Sequence, residues 1–213
     1  MSRSSGAWGS RLRSRSVGSP TLIGRRIVLR SLAPEDFPQW REVRRRNRDW
    51  LTKWEPSRLP GAPDVVEDRN AFVLRCHARD RERQLGSGYG FGVFVGGNFA
   101  GEINLSSVQR GAFQSGYIGY WIDEAHAGQG YTPEAVVMMC RYSFEDLRLH
   151  RLQISIIPRN RSSRRVVEKL EIRDEGVAER YLEINGAWED HVRYAITIEE
   201  WQVRGPDLVG GWL

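Results

Sequence analysis

The sequence predicts an α/β fold, with a mixed, largely antiparallel sheet of about seven strands flanked by about four helices. Three observations predict it. Apolar periodicity switches along the chain in the order strand, helix, helix, three strands, helix, strand, helix, two strands. Three consecutive strands followed by strand–helix units build a mixed sheet with helices on its faces. Asn185-Gly186 sits between two strand-like runs, and Asn-Gly is the strongest short hairpin signal.

The elements follow in order. Residues 1–24 are rich in Ser, Gly and Arg, lack periodicity and read as a mobile tail. Residues 27–30 form a short apolar run, the first strand. Pro34, Glu35 and Asp36 mark a helix start, with proline in the first turn and acids at the positive end of the dipole. Phe37, Trp40 and Val43 continue it at helical spacing, and Trp50, Leu51, Trp54, Glu55 and Pro56 end it in an aromatic loop. Asp64 is expected to cap a second helix carrying Val65, Val66, Phe72, Val73 and Cys76. Strands are then expected at 89–95, 99–108 and 117–122, with Gly96-Gly97-Asn98 as a turn. A helix over 133–147 precedes a strand at 152–157. Asn160 caps a helix carrying Val166, Val167 and Leu170, and the hairpin 177–184 and 188–198 closes the sheet. One domain over 25–200 results, with 201–213 as a C-terminal extension.

Composition excludes several classes. The chain has 213 residues, 40% apolar and 28% charged, which suits a globular domain with a sizeable core. No apolar stretch is long enough to span a bilayer, and no apolar signal segment follows the N-terminal arginines, so no membrane partner and a cytoplasmic location are expected. Cys76 and Cys140 offer neither a disulfide framework nor metal-ligand spacing, and no metal is expected. Arg3, Arg11, Arg13 and Arg15 supply most of the +5 net charge, leaving the body near neutral and a general nucleic-acid surface weakly supported.

The chemistry centres on Gly128-Gln129-Gly130, between a strand and a helix. Glycines let the backbone turn tightly and approach a ligand, and the helix start exposes unpaired N–H groups. Together these make an anion site suited to a diphosphate. The pattern is neither a Walker A loop, which needs Lys-Ser/Thr, nor a GxGxxG fingerprint, because the third glycine is missing.

With Tyr120-Trp121-Ile122-Asp123 before the loop and Thr132-Pro133-Glu134-Ala135 after it, the sequence resembles the GNAT N-acetyltransferases. A second stretch, His150-Arg151-Leu152, a strand, then Asn160 to Leu170, supports the resemblance. Two departures are visible: the first position of the loop motif falls on Ala125, and Glu171-Ile172 replaces the usual Gly-Phe. The segments 47–56 and 181–191 are similar to the ribosomal-protein N-acetyltransferases of the RimJ/RimL type.

That resemblance implies acetyl-CoA as donor and an N-terminal α-amine as acceptor, on a protein and most directly a ribosomal protein. It implies a splay between the fourth and fifth strands. The main chain of His126, Ala127, Gly128, Gln129, Gly130, Tyr131 and Thr132 is expected to hold the pyrophosphate. Trp121, Ile122 and Asp123 would border the cofactor, with an N–H near Trp121–Ile122 for the oxyanion. Asn160 and Ser163 would contact the cofactor from the other side. Glu102 is the candidate base and Ser163 a candidate proton donor, since Val167 stands where related enzymes carry a tyrosine. Trp50, Trp54 and Glu55 are expected to contact the acceptor, and Arg44 to Arg48 offer basic groups for ribosome docking. Two rival readings are acetylation of a small amine, such as a polyamine or aminoglycoside, and a non-catalytic ribosome- or RNA-binding module.

Overall fold

The structure, a computed structural model, describes residues 19–56, 61, 64 and 66–213. Its strands are β1 (Leu22–Ile23), β2 (Ile27–Arg30), β3 (Tyr89–Val95), β4 (Asn98–Gln109), β5 (Ser115–Ile122), β6 (Arg151–Ile156), β7 (Arg173–Ile184) and β8 (Ala187–Thr197). Its α-helices are α1 (Phe37–Arg46), α2 (Arg48–Leu51), α3 (Arg69–Leu85), α4 (Tyr131–Arg141), α5 (Arg161–Lys169) and α6 (Ile198–Trp212). One eight-stranded sheet runs in the order β1-β2-β3-β4-β5-β6-β8-β7. Every neighbouring pair is antiparallel except β5 and β6, so the sheet is mixed as expected.

The strands bury both faces. Ile27 and Leu29 join one core cluster with Ile103, Leu105, Val136, Met139 and Phe144, while Val28 faces a second cluster with Trp40, Phe72 and Phe99. This is the period-2 alternation of a sheet covered on both sides. Helices α4 and α6 cover the first face; α1 and α3 cover the second. Asn185 (φ 48°) and Gly186 (φ 81°) both take positive φ, as a two-residue hairpin turn demands.

Several boundaries differ from the sequence reading: β7 starts at Arg173 rather than 177, α4 ends at Arg141 rather than 147, and four further differences bear on the architecture. Within residues 1–24, positions 1–18 lie outside the described residues, and Leu22–Ile23 pairs with Val28 and Leu29 as an added edge strand. Two residues are too few to show periodicity. Helix α3 starts after Asp68, not Asp64: Asp68 accepts from the N–H of Asn70 and Ala71, while Asp64 accepts from Val66 N–H in the preceding turn. Helix α4 starts at Tyr131, two residues before Pro133. Residues 201–213 are not set apart from the rest, because α6 runs through them from a Thr197–Glu200 capping box. Trp201 is buried, and Gly205 is required there, since a Cβ would lie 2.9 Å from the Trp201 ring.

Candidate active site

The glycine loop is built by the residues before it. Asp123 caps a short 3-10 turn over Glu124–His126. Within it the His126 N–H donates to Asp123 O (2.9 Å) and the Ala127 N–H to Glu124 O (3.0 Å). These two amides are therefore spent internally. Gly128 (φ 77°) and Gly130 (φ 87°) are left-handed, a conformation that costs other residues energy, and Gly130 is the N-cap of α4. Among the described residues nothing accepts a hydrogen bond from the amides of Gly128, Gln129, Gly130, Tyr131 or Thr132. The free donors thus occupy 128–132, the later part of the 126–132 window expected, and the positive end of the α4 dipole adds to them.

The outer side of the loop is closed by a clamp. Glu134, fully buried, accepts from the backbone N–H of Arg26 (2.7 Å) and Ile27 (3.2 Å) and pairs with Arg26 Nε (2.9 Å). Arg26 Nη1 donates to Gln129 O at 2.8 Å and so ties the loop to the same clamp. Trp212 backs Gly130, where a Cβ would meet its ring at 3.4 Å.

The expected splay is present. β5 and β6 pair only over Ser115↔Arg151, Gly116↔Leu152 and Tyr117↔Gln153; beyond this β5 pairs with β4 alone and β6 with β8 alone. The Asp123 N–H donates to Ala100 O on the β4 side. Alternate backbone groups of a strand face opposite neighbours, so the Tyr120 and Ile122 N–H groups face the open side. On the far wall Asn160 accepts from Ser163 N–H (3.2 Å), as a helix cap should. Ser163 Oγ donates to the Tyr120 hydroxyl (3.1 Å), which donates to Ser163 O (3.1 Å), so the phenol bridges the gap. Burial pushes the Tyr120 phenol well up, and it stays protonated.

A cleft of about 820 Å³ occupies this gap, a size suited to a cofactor-class ligand. It brings together Trp50, Trp54, Glu55, Trp121, Ile122, His126, Ala127, Gly128, Gly130, Tyr131, Thr132, Asn160 and Ser163. At the end away from the glycine loop, Glu55 is held by Arg44 through two bonds (2.6 and 2.7 Å). The hairpin tip closes the same end, with Asn185 N–H donating to Glu55 O at 3.0 Å. Lys53 Nζ lies 5.5 and 5.4 Å from the ring centres of Trp50 and Trp54.

Three expected site residues do not line the cleft: Glu102, Asp123 and Gln129. Glu102 is buried, with Oε1 accepting from Trp40 Nε1 (2.7 Å) and Oε2 paired with Arg75. Burial alone would raise its pKa, but the Arg75 charge and the Trp40 bond outweigh that and hold the carboxyl below the usual range. Asp123 is likewise enclosed by Arg46, Asn47 and the Ala125 N–H, which against the push of burial hold it at about 2. Most of the basic run is occupied: Arg44 pairs with Glu55, Arg45 with Glu67, and Arg46 with Glu42 and Asp123, while Arg48 is exposed without an ion pair among the described residues. Burial pushes Cys76 to about 11 and Cys140 to about 12, which removes both as nucleophiles.

Sequence reasoning missed Asn104, Tyr120, Arg165 and Lys169, all of which line the cleft. Asn104 interrupts Ile103 and Leu105 on β4; its Oδ1 is buried without a hydrogen-bond partner, against the bare backbone of Gly90. A polar side chain amid apolar strand residues was the available signal. Among the described residues no cluster of three or more His, Cys, Asp or Glu is placed to hold a metal, and no helix is long and apolar enough to cross a membrane.

Comparison with known proteins agrees with this geometry. The acetyltransferase (GNAT) domain family matches residues 26–173. The [ribosomal protein uS5]-alanine N-acetyltransferase of Escherichia coli is 31% identical over 180 residues, covering 83% of this chain and 90% of that protein. A probable N-acetyltransferase of Bacillus subtilis is 33% identical over 177 residues, 82% of this chain and 96% of that one. Among solved structures, Mycobacterium smegmatis RimJ in complex with CoA-disulfide superposes with a TM-score of 0.83 at 29% identity, covering 91% of this chain and 94% of that one. The chain belongs to the GNAT family and is an acetyl-CoA-dependent N-acetyltransferase.

Proposed function

We propose that the protein acetylates the N-terminal α-amine of a protein in the cytoplasm, with a ribosomal protein as acceptor. The observation that carries this reading is the row of free amides at 128–132 opening onto the splayed strands. Acetyl-CoA fits that arrangement: the amides and the α4 dipole receive its pyrophosphate, and the unpaired edges of β5 and β6 receive its pantetheine arm. The Ile122 N–H then faces the thioester carbonyl oxygen, where negative charge develops. Asn160 holds the start of α5 against the cofactor.

The acceptor enters at the Trp50–Trp54 end. Its nitrogen attacks the carbonyl carbon, a C–N bond forms, the C–S bond breaks, and the thiolate departs. The proton released by the nitrogen leaves through solvent. An α-amine has a pKa of about 7.7–8.0 against about 10.4 for lysine, so roughly a tenth is neutral at pH 7 and no strong base is needed. This suits a site whose Glu102 is held by Arg75 and Trp40, with less affinity for a proton than a free carboxylate. We assign Glu102 to anchoring α1 and α3 rather than to proton transfer. Ser163, whose hydroxyl donates to Tyr120, is not aimed as an acid; a thiolate is a far weaker base than an alkoxide and departs without one.

Cleft chemistry also weighs against a polyamine or aminoglycoside. Such cations need unpaired acids, and Glu55, which lines the acceptor end, is neutralised by Arg44. The test incubates the protein with acetyl-CoA and three acceptors: peptides with free N-termini, an N-blocked lysine peptide, and spermidine. Mass spectrometry should find acetyl groups on α-amines alone. Acetylation confined to spermidine or to lysine would overturn the reading.

A further inference from the structure

The cleft's two walls are joined by a side chain that touches neither substrate position. Asn47 ends α1 and is 1% exposed. Its Nδ2 donates to Val43 O (2.8 Å) and to Asp123 Oδ1 (2.7 Å), and its Oδ1 accepts from Glu124 N–H (2.8 Å). Its carbonyl accepts from Leu51 N–H (2.9 Å), so the same residue starts the α2 turn that carries Trp50. Next to it Arg46 pairs with Asp123 (2.5 Å), and Trp50 Nε1 donates to Ile122 O (3.2 Å). Three consecutive residues, 122 to 124, are thus each bonded to the segment 46–50. They lead directly into the amides at 128–132.

We propose that Asn47 is a positioning residue that couples the two half-sites, so that cofactor on the glycine loop orders the acceptor wall. The inference rests on the acetyl-CoA reading above. Contacts to the loop amides fix residues 126–132, and through the capped turn they fix Asp123 and Glu124. Asn47 meets these two with a donor and an acceptor in fixed directions, so it cannot keep both bonds if either segment shifts. Ordering of one wall thereby lowers the entropy still to be lost at the other, which is how binding at one site favours binding at a second. The acceptor wall has further attachments: the buried Leu51, the Arg44–Glu55 pair, the Asn185 bond to Glu55 O and the Arg159 guanidinium 5.5 Å from the Trp54 ring centre. Arg44 also lies 5.1 Å from the Trp121 ring centre, but the hydrogen bonds to 122–124 all come from residues 46–50, which makes that segment the direct polar link.

Amide hydrogen exchange on the full chain, free and saturated with CoA, tests the coupling. In the unmodified protein CoA should slow exchange by about fivefold or more both at 126–132 and at 48–54. In Asn47→Ala the slowing at 126–132 should persist and that at 48–54 should vanish. A residue serving only as a helix end would lower stability yet leave the CoA response of 48–54 intact, and that result overturns the proposal. Trp50→Phe keeps an aromatic ring, though a smaller one, and removes the bond to Ile122 O; it should weaken the same response, and it stands in if Asn47→Ala does not fold. CoA protection at 126–132 without any at 48–54 in the unmodified protein overturns the coupling alone. Protection at neither place overturns the cofactor reading as well.

Discussion

The loop 128–132 offers the cleft main-chain amides, with Gly128, Gly130, Tyr131 and Thr132 lining it, whereas Trp50, Trp54 and Glu55 meet it with tryptophan rings and an ion-paired side chain. The first wall depends on backbone conformation: two left-handed glycines and a helix start leave donors that only another molecule can satisfy. The second depends on partners far along the chain, with Arg44 on Glu55, Asn185 on Glu55 O and Ile122 under Trp50. A pyrophosphate is the same for every acetyl-CoA enzyme, so a main-chain cradle serves without side-chain tuning. An acceptor differs from enzyme to enzyme, and side chains can be exchanged without rebuilding the backbone. On the proposed reading, family membership is written in one wall and acceptor choice in the other.

Four experiments break or sharpen that contrast. The largest effect is expected away from both walls. Glu102→Gln leaves Arg75 without its buried counter-charge and should cost about 3 kcal/mol of stability, read as a lower midpoint in denaturant. The pH dependence of turnover should keep its shape; a rate that recovers only at high pH would restore Glu102 as the base. Gly128→Val comes next. It forces a β-branched residue to φ 77° and fills the approach to the amides, so acetyl-CoA affinity should fall by roughly 100-fold in calorimetry. Unchanged affinity would mean the loop is not the cradle.

Asp123→Asn probes the link between the walls. Asp123 titrates at about 2 in the fold against 3.8 as an isolated group. A depressed carboxylate adds stability that is fully present above 3.8 and is lost as pH falls toward 2, worth about 2 kcal/mol here. The variant should lack that part of the acid-induced loss. Glu175, also held at about 2 by Arg151, titrates in the same window, so the slope should shrink without vanishing. Trp54→Ala has the smallest expected effect: KM for a peptide acceptor should rise roughly tenfold while KM for acetyl-CoA stays put. A matching rise in both would show that the walls are not separable.

Legibility in the sequence followed the same division. The Asn185-Gly186 hairpin, the Asn160 cap and the glycine loop are local, because their backbone conformations demand particular residues at adjacent positions. β1 escaped because two residues carry no period. The reach of α6 is hard to see locally because Gly205, Pro206, Gly210 and Gly211 are poor helix formers, whereas the Trp201 ring packs against Gly205 and leaves no room for a Cβ. Glu102 was legible as an acid on a strand, but not as a neutralised one: Arg75 is 27 positions away and Trp40 62. His126 and Ala127 were read with the donors because the sequence does not reveal that a 3-10 turn consumes their N–H groups. Asn104 and Tyr120 were visible as polar atoms in apolar strands, but the cleft they line exists only because β5 and β6 part, which no local pattern announces.

The central claim is that main-chain amides at 128–132 grip acetyl-CoA. An NMR titration of amide-labelled protein with acetyl-CoA tests it most directly. The N–H signals of Gly128, Gln129, Gly130, Tyr131 and Thr132 should shift together and saturate, with His126 and Ala127 moving less because their amides already have acceptors. Saturable binding that leaves the signals of 128–132 in place would contradict the account.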